Sequence, residues 1–386
     1  MIIRLLLPLT FIGASVLIAL CNRPVAAPYE WDLPAGFPQP TVPDDNPMSR
    51  AKVELGRHLF YDPRLSLTGM ISCASCHQQA FAFSDPAVRS SGATGQETKR
   101  NSMTLVNVAY NASYDWANPY VTTLEHQMLT PLFGDDPIEM GLANRRDQVM
   151  QALREDTRYQ RMFAAAFGFD ADIWDWQNII RAIASFSRTI ISGDSPYDRY
   201  LRGEQDALSD AALRGLDLFV SERLECFHCH GGFNFTDSST HDKLNNPPRQ
   251  FHNTGLYNVG ADNRYPRNSE GVFELTRQTA DMGRFKAPTL RNILRTAPYM
   301  HDGSAVDIDA AIDHYVAGGR LTEQGAAAGD GRLHPQKSEF VTGFELTESE
   351  RADLIAFFAS LNDEKLFTRS DLADPWANLP RATKAP

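Results

Sequence analysis

Two amphipathic helices are predicted at matching places in the two halves of the chain. Apolar residues recur at helical spacing from about residue 175 to 191 and again from about 347 to 361, which is the pattern of a helix with one buried face. The apolar positions are Ile179, Ile180, Ile183 and Phe186 in the first helix, and Leu354, Ile355, Phe358 and Leu361 in the second. Thr347 and Glu350 have the spacing of a capping box, which predicts where the second helix begins.

A shorter helix is predicted before each of these, and both short helices end in the same pattern. Residues 56–60 and 215–219 read G-x-x-L-F. Ser49 and Ser209 stand where a hydroxyl can cap the first turn of each helix. The repeated order of short helix, irregular stretch and long terminal helix indicates two copies of one structural plan.

A C-x-x-C-H motif follows each short helix. The motif residues are Cys73, Cys76 and His77 in the first half, and Cys226, Cys229 and His230 in the second. Two thiols at this spacing can bond both vinyl groups of one porphyrin, and the following His can bind its iron. A redox-active thiol pair, or one zinc ion held by all four thiols, is the alternative, but neither requires a His after each pair. The motifs therefore predict two covalently bound c-type haems.

A helix, a C-x-x-C-H motif, a loop and a terminal helix are the layout of a cytochrome c domain. We therefore predict a mainly α-helical fold with two cytochrome c-like domains, each holding one haem c. The predicted segments are a signal peptide over 1–27, an extended segment over 28–47, an N-terminal domain over 48–205, a C-terminal domain over 206–363 and a tail over 364–386. The polar, glycine-containing stretch at about 195–207 sets the boundary between the domains.

Charge and the N-terminus restrict the partners and the compartment. The chain has 386 residues and a net charge of −11, which argues against a nucleic-acid partner. Arg4 precedes an apolar run from Leu5 to about Leu20, and small residues follow at 25–27, so we predict a cleaved export signal and a periplasmic protein. An uncleaved membrane anchor and a lipid attached at Cys21 are the alternatives. In bacteria, haem is attached covalently outside the cytoplasm, so the two haem motifs agree with the predicted export signal.

Further motifs resemble those of the bacterial di-haem cytochrome c peroxidases and their MauG-like relatives. The matching segments are 55–62 (L-G-x-x-L-F-Y-D), 100–102 (R-N-S), 124–127 (L-E-x-Q), 137–140 (P-I-E-M), 287–292 (A-P-T-L-R-N) and 298–303 (P-Y-M-H-D-G). Segments 31–34 (W-D-L-P) and 115–119 (D-W-A-N-P) are most similar to the MbnH-type branch, whose di-haem enzymes are associated with copper-binding periplasmic proteins. The resemblance covers roughly residues 45–363.

The resemblance implies different work for the two haems. The haem with His77 as its proximal ligand would react with hydrogen peroxide, and the haem with His230 would relay electrons. Glu139 would move a proton between the peroxide oxygens, and Gln127 would hold peroxide or water, although this chain has two extra residues between them. No His lies between His77 and His126. The loop ligand that blocks the peroxide haem in some members thus has no counterpart, and we expect a five-coordinate first haem.

The distal ligand of the second haem separates the branches of this family. Its cytochrome c peroxidases place a Met in the helix after the 298–303 turn, whereas its MauG-like enzymes have a Tyr, and the matching residue here is Tyr315. A phenolate-type oxygen favours ferric and higher states of iron more than a thioether does. Met300 and His314 are the alternative ligands.

The resemblance also assigns residues between the haems. Trp116 would lie between them and pass electrons, with core packing as the alternative. Asn101, together with the backbone carbonyls of Thr296 and Pro298, would bind a Ca²⁺ ion, which prefers oxygen ligands. The alternative for Asn101 is a cap on a turn.

The resemblance implies a MauG-like oxidoreductase that uses hydrogen peroxide to oxidise a side chain of a partner periplasmic protein through a bis-ferryl state. Tryptophan is the candidate side chain, and a copper-binding protein is the candidate partner. Trp174 and Trp176 are candidate exit residues for the oxidising equivalents, although packing at a helix start explains them as well. The alternative is a di-haem cytochrome c peroxidase that takes electrons from a small cytochrome or cupredoxin. A plain electron carrier would have no use for an acid–base group such as Glu139.

Overall fold

The fold is described from a computed structural model, which covers residues 29–169 and 171–377. The predicted signal peptide over 1–27 and the alternative at Cys21 lie outside these residues. Regular structure in the described part is mainly α-helical, as predicted, with very little strand. In these two ranges we find no helix that has both the length and the apolar character needed to cross a membrane.

The helices are short and are joined by long irregular segments. They are α1 (Arg50–Phe60), α2 (Cys73–Cys76), α3 (Leu124–Gln127), α4 (Leu129–Phe133), α5 (Arg146–Glu155), α6 (Thr157–Phe167), α7 (Trp176–Arg188), α8 (Pro196–Leu201), α9 (Asp210–Phe219), α10 (Cys226–His230), α11 (Phe273–Thr276), α12 (Ile308–Val316) and α13 (Glu348–Ser360). The strands β1 (Leu321–Thr322) and β2 (Gly329–Asp330) pair antiparallel, with Leu321 opposite Asp330.

The predicted helix starts are confirmed. Ser49 Oγ accepts a hydrogen bond from the backbone N–H of Lys52, and Ser209 Oγ accepts one from Ala212, both at 3.2 Å. Thr347 forms the predicted capping box at the start of α13. Both long helices are a little shorter than predicted. The prediction extended them too far because buried apolar residues continue beyond the last helical turn.

The glycine of each G-x-x-L-F repeat lies at a helix crossing. α1 packs against α7, and α9 packs against α13. A Cβ atom at Gly56 would overlap the carbonyl oxygen of Ala182, and one at Gly215 would overlap that of Asp353. The repeat therefore marks the two points where the helix backbones approach most closely, and only glycine leaves room there.

Two large hydrophobic clusters follow the two halves of the chain. The first is built mainly from residues 55–190, and the second from residues 219–361. The predicted tail also contributes to the first cluster, since Leu366 and Leu372 are fully buried in it. Trp376 Nε1 donates a hydrogen bond to the backbone carbonyl of His58 at 3.0 Å. The division into domains at residue 205 stays a prediction.

A buried arginine forms a bidentate ion pair with a carboxylate in each half. Arg188 of α7 donates to both oxygens of Glu125 in α3, at 2.9 and 2.7 Å. Arg291 donates to both oxygens of Asp198 in α8, at 2.9 and 3.0 Å. Both guanidinium groups are almost fully buried, so each pair ties distant segments together where water does not compete for the charges.

Candidate haem cavities and the residues between them

His77 faces a cavity of about 500 Å³ that is lined mainly by the first half, with part of its wall from residues 271–289. His77 directly follows α2, which carries both cysteines of the first motif. The predicted residues Gln127, Glu139 and Trp116 line the same cavity. The structure thus brings together side chains that are up to 62 residues apart in the sequence, 139 minus 77.

The imidazole of His77 is held by a backbone carbonyl. Its Nδ1 lies 3.0 Å from the oxygen of Phe83, which has a left-handed backbone (φ 57°). Burial lowers the pKa of His77, so the ring is neutral, and its contact with a carbonyl makes Nδ1 the donor. Iron-binding histidines are held in this way by a carbonyl behind the ring. The donor set of the first motif therefore fits a covalently bound haem.

Glu139 reaches the first cavity from a loop that is fastened to the segment at 90–97. The backbone N–H of Ala93 donates to the carbonyl of Glu139 at 2.6 Å, and the N–H of Ile138 donates to Oε1 of Gln96 at 2.9 Å. Burial, and secondarily the charge of Asp115, raises the pKa of the Glu139 carboxyl. A carboxyl group with a raised pKa beside a cavity gives up its proton less readily than an ordinary Glu, which suits it to accept a proton and then return it.

Gln127 is positioned by the buried ion pair of the first half. It ends α3, whose Glu125 is held by Arg188. The amide nitrogen of Asn46 donates to the same carboxylate at 2.6 Å, and Lys52 in turn donates to Asn46 at 3.1 Å. Sequence reasoning missed Arg188. The arginine at the end of an amphipathic helix looks solvent-exposed in sequence, and only the fold shows its partner.

His230, Cys226 and Cys229 line a second cavity of about 200 Å³, whose walls come mainly from the second half, with residues 101–104 and Trp116 from the first. The walls of this cavity are mainly aliphatic and aromatic. His230 Nδ1 lies 3.1 Å from the carbonyl oxygen of Pro288 and 3.3 Å from that of Phe235, and burial lowers the pKa of its ring. This histidine is therefore prepared for iron in the same way as His77, and the second donor set also fits a haem.

Tyr315 lines the second cavity from α12. Burial raises the pKa of its phenol. The phenol would therefore lose its proton only if its oxygen binds a cation such as iron. Of the two alternative ligands, Met300 also lines this cavity, but His314 does not. His314 Nε2 instead lies 2.9 Å from the carbonyl oxygen of Thr254. Ligation by Tyr315 stays a prediction.

Trp116 and Lys286 line both cavities. Trp116 Nε1 donates to the backbone carbonyl of Asn101 at 2.8 Å, which fixes the indole between the two sites. Lys286 was not singled out from the sequence. Its Nζ is buried and donates to the carbonyl of Ser113 at 2.9 Å, and burial lowers its pKa to about 8. Its place within the otherwise apolar segment 285–290 was the feature of the sequence that could have indicated a buried lysine.

The three predicted calcium ligands lie at one wall of the second cavity. Asn101, Thr296 and Pro298 all line it. The amide nitrogen of Asn101 donates to the carbonyls of Ala87 and Val88 at 3.1 and 3.3 Å, which leaves its side-chain oxygen available. Oxygen donors of this kind suit Ca²⁺. The calcium site stays a prediction.

Trp174 and Trp176 line neither cavity. Trp174 stacks on Phe163 with ring centroids 4.3 Å apart, and Trp176 meets Phe133 edge-on at 5.1 Å. Both pack against the first hydrophobic cluster. Their positions favour the packing role over the exit role.

Known proteins with this sequence pattern are di-haem peroxidases and MauG proteins. A family model described as di-haem cytochrome c peroxidase matches residues 50–206. The methylamine utilization protein MauG of Methylorubrum extorquens is 33% identical over 331 residues, covering 86% of this chain and 83% of that protein. Cytochrome-c peroxidase IdrP1 of Denitromonas iodatirespirans is also 33% identical, over 96% of this chain and 98% of that protein.

A solved structure is more similar still. It is described as a MauG-like protein associated with microbial copper homeostasis, is 46% identical to this chain, and superimposes with a TM-score of 0.88. The match covers 90% of this chain and 99% of that one. The overall fold is therefore shared over nearly the whole described length.

Proposed function

Since this chain belongs to the family of di-haem cytochrome c peroxidases and MauG proteins, we propose that it uses hydrogen peroxide to oxidise a side chain of a partner protein. Peroxidase-type haem chemistry is common to this family. The family implies two c-type haems, for which the motifs at 73–77 and 226–230 supply the attachment residues. The proposal concerns the destination of the oxidising equivalents: a protein side chain, with tryptophan as the candidate.

Tyr315 is the observation that carries this proposal. A tyrosine lines the second cavity where the family's cytochrome c peroxidases have methionine. An anionic oxygen ligand stabilises oxidised iron, so the second site would store an oxidising equivalent better than it would accept an electron from a donor. The 46% identity to a MauG-like structure supports the same branch.

Two side chains of the first cavity would handle the peroxide. A haem bound at His77 would supply the redox chemistry. Gln127 would hold one peroxide oxygen with its amide N–H. Glu139 would take the proton from the oxygen nearer His77 and return it to the outer oxygen, which leaves as water. The raised pKa of Glu139 suits both halves of this transfer.

The partner and the setting are proposed from the relatives and from the N-terminus. The association of the similar structure with copper homeostasis supports a copper-binding protein as the substrate. The apolar run after Arg4 supports export to the periplasm, where such a partner would be met. A Ca²⁺ ion held by Asn101, Thr296 and Pro298 would fix the wall between the two sites.

The function is tested by adding one equivalent of hydrogen peroxide to the resting, fully oxidised protein with both haems bound. We expect immediate loss of peroxide and a change in the haem absorption spectrum without any prior reduction. A protein that stays inert until one haem is reduced, and that then consumes peroxide only with a reduced cytochrome, would contradict the proposal.

The role of Glu139 is tested by Glu139→Gln, with Asp135→Asn on the same exposed loop as the control. Loss of an acid–base group lowers rates by about 10²–10⁴-fold, and we expect a decrease of this order for Glu139→Gln alone. Because burial raises the pKa of Glu139, the accepting carboxylate is lost at a higher pH than in an ordinary Glu. The parent rate should fall as the pH drops through that raised pKa, and the Gln variant should lack this dependence.

A cytochrome c peroxidase is the second candidate, favoured by the near full-length match to IdrP1. In that function a small cytochrome or cupredoxin would deliver electrons to the second haem. Tyr315→Met should move the protein toward it, because a thioether favours reduced iron. Faster peroxide turnover with a reduced cytochrome in the variant than in the parent would show that Tyr315 separates the two activities.

A further inference from the structure

Tyr257 forms a short hydrogen bond with a buried carboxylate near the surface of the second half. Its Oη donates to Oδ2 of Asp302 at 2.6 Å. Asp302 is 7% exposed, whereas Tyr257 is half-buried. The guanidinium of Arg320 lies 4.3 Å from the centre of the Tyr257 ring. A phenol is thus paired with a proton acceptor and covered by a cation.

The charge states of this pair are fixed at neutral pH. Burial, and secondarily the Asp302 charge, raises the pKa of Tyr257 to about 12, so the phenol keeps its proton. Burial opposes the ionisation of Asp302, but the hydrogen bonds from Tyr257 and Ser304 and the charge of Arg320 hold its pKa below the ordinary value at neutral pH. The hydrogen bond therefore joins a protonated donor to an ionised acceptor, which is the strong kind.

A row of aromatic rings connects this pair with the second cavity. Phe285 lines that cavity, its ring centroid lies 6.3 Å from that of Tyr265, and the Tyr265 centroid lies 5.6 Å from that of Tyr257. Trp116, which lines both cavities, packs against the same apolar cluster. Trp174 and Trp176 have no such connection.

We propose that Tyr257 is a redox-active relay through which oxidising equivalents leave the haem region, with Asp302 as the acceptor of its proton. This inference rests on the proposed function, because peroxide supplies the oxidant. An electron leaves the Tyr257 ring inward, toward the peroxide-oxidised centre, while the Oη proton moves to Oδ2 of Asp302. An electron from the partner side chain then restores the tyrosine, and Asp302 returns the proton. Each peroxide takes up two electrons and two protons to become two waters. The partner side chain gives up the two electrons one at a time and releases two protons to solvent, so Tyr257 cycles twice.

Arg320 explains why the proton has to move. A positive charge over the ring disfavours a tyrosine radical that keeps its proton and is itself a cation. Only the neutral radical is acceptable there, and it forms because Asp302 is already in hydrogen-bond contact. Electron transfer at Tyr257 therefore requires one proton transfer, from Oη to the carboxylate of Asp302, which is already hydrogen-bonded to it.

Tyr299 provides a matched comparison. Its ring lines the second cavity directly, so it is nearer to that site than Tyr257 is. Its Oη, however, donates to the backbone carbonyl of Ile293 at 2.8 Å, and a carbonyl is a much weaker base than a carboxylate. Nearness to the cavity alone would select Tyr299, whereas the need for a proton acceptor selects Tyr257.

The test is electron paramagnetic resonance of the haem-loaded protein, frozen shortly after one equivalent of peroxide is added, with tyrosine deuterated to identify its signal. We expect a tyrosyl radical in the parent and in Tyr299→Phe, and its loss in Tyr257→Phe and Asp302→Asn. In the parent, the radical should form more slowly in D₂O. A signal that survives in Tyr257→Phe, or that disappears in Tyr299→Phe, would overturn the proposal.

Peroxide consumption, measured in the same samples, separates this inference from the proposed function. With one equivalent of peroxide, Tyr257→Phe should still remove the peroxide, because that reaction comes before electron transfer from Tyr257 and the residue lies outside the first cavity; with excess peroxide and the partner present, turnover of the variant should fall. If the parent consumes peroxide but shows no tyrosyl radical, the relay is wrong and the proposed function stands. If the resting parent does not react with peroxide at all, the proposed function fails first.

Discussion

The first half of the chain places Glu139 and Gln127 in the cavity that His77 faces, whereas the second half surrounds His230 with apolar walls and Tyr315. Both halves nevertheless use the same frame: a serine-capped helix, a glycine at a helix crossing, a C-x-x-C-H motif and a long terminal helix. The frame repeats because each half packs a short helix against a long terminal helix in the same way, with a glycine at the crossing. The chemistry differs because it comes from the segments between the helices.

This comparison also shows how far each half depends on its frame. In the first half the buried ion pair lies directly behind a cavity residue, since Glu125 and Gln127 share α3. In the second half, Asp198 belongs to α8, which contributes nothing to the second cavity, but its partner Arg291 directly follows Leu290, which lines that cavity. Damage to the frame should therefore reach the peroxide-handling residues only in the first half, and the surroundings of His230 in the second.

The largest expected effect comes from removing the buried arginines. Arg188→Met and Arg291→Met each leave a carboxylate buried without its partner, which costs about 3–5 kcal/mol. We expect a loss of this size in the free energy of unfolding for both variants, measured by denaturant titration of the haem-loaded protein. Only Arg188→Met should also slow the reaction with peroxide, because only Arg188 holds α3.

The conservative variants Arg188→Lys and Arg291→Lys are the controls. A lysine keeps the charge but loses the bidentate geometry, so Arg188→Lys should recover part of the peroxide rate. An equal slowing of the peroxide reaction in both Met variants would contradict the difference between the halves.

The next effect concerns the two crossing glycines. Gly56→Ala and Gly215→Ala force a Cβ atom onto a backbone carbonyl, and overpacking of this kind costs about 1–3 kcal/mol. Thermal unfolding should show similar losses for both, because the crossings are equivalent. The exposed neighbours Glu54→Ala and Asp217→Ala on the same helices should change stability by less than about 0.5 kcal/mol. A loss of stability in only one of the two glycine variants would show that the two helix crossings are not equivalent.

The smallest effect tests the helix caps. Ser49→Ala and Ser209→Ala each remove one hydrogen bond to the first turn, which costs about 1 kcal/mol. Thermal unfolding should give nearly equal decreases, and Ser→Asp at either position should restore the parent value because Asp also caps. Neither alanine variant should alter peroxide consumption. A clear decrease for only one of the two alanine variants would show that the two frames are not built alike.

Local patterns predicted the frame well, and long-range contacts explain what they missed. The caps at Ser49 and Ser209 and the repeated glycines depend on neighbouring residues or on a repeat, so the sequence reveals them. The pair of Glu125 and Arg188 joins residues 63 positions apart, and no local pattern indicates such a partner.

The cavities show the same limit. Family motifs placed Gln127, Glu139 and Tyr315 at cavity walls, where they are found, but periodicity alone would have left each in a loop or on an ordinary helix face. Lys286 was missed because lysine usually lies on the protein surface. Only the fold shows that this lysine is buried.

The burial of Leu366 and Leu372 in the first hydrophobic cluster sets an order of assembly. A polypeptide emerges from the ribosome beginning with its N-terminus. The cysteines at 73 and 76 therefore become available long before the segment that closes the core around them. The core of the first half is complete only once residues 366 and 372 have been made and have packed into it.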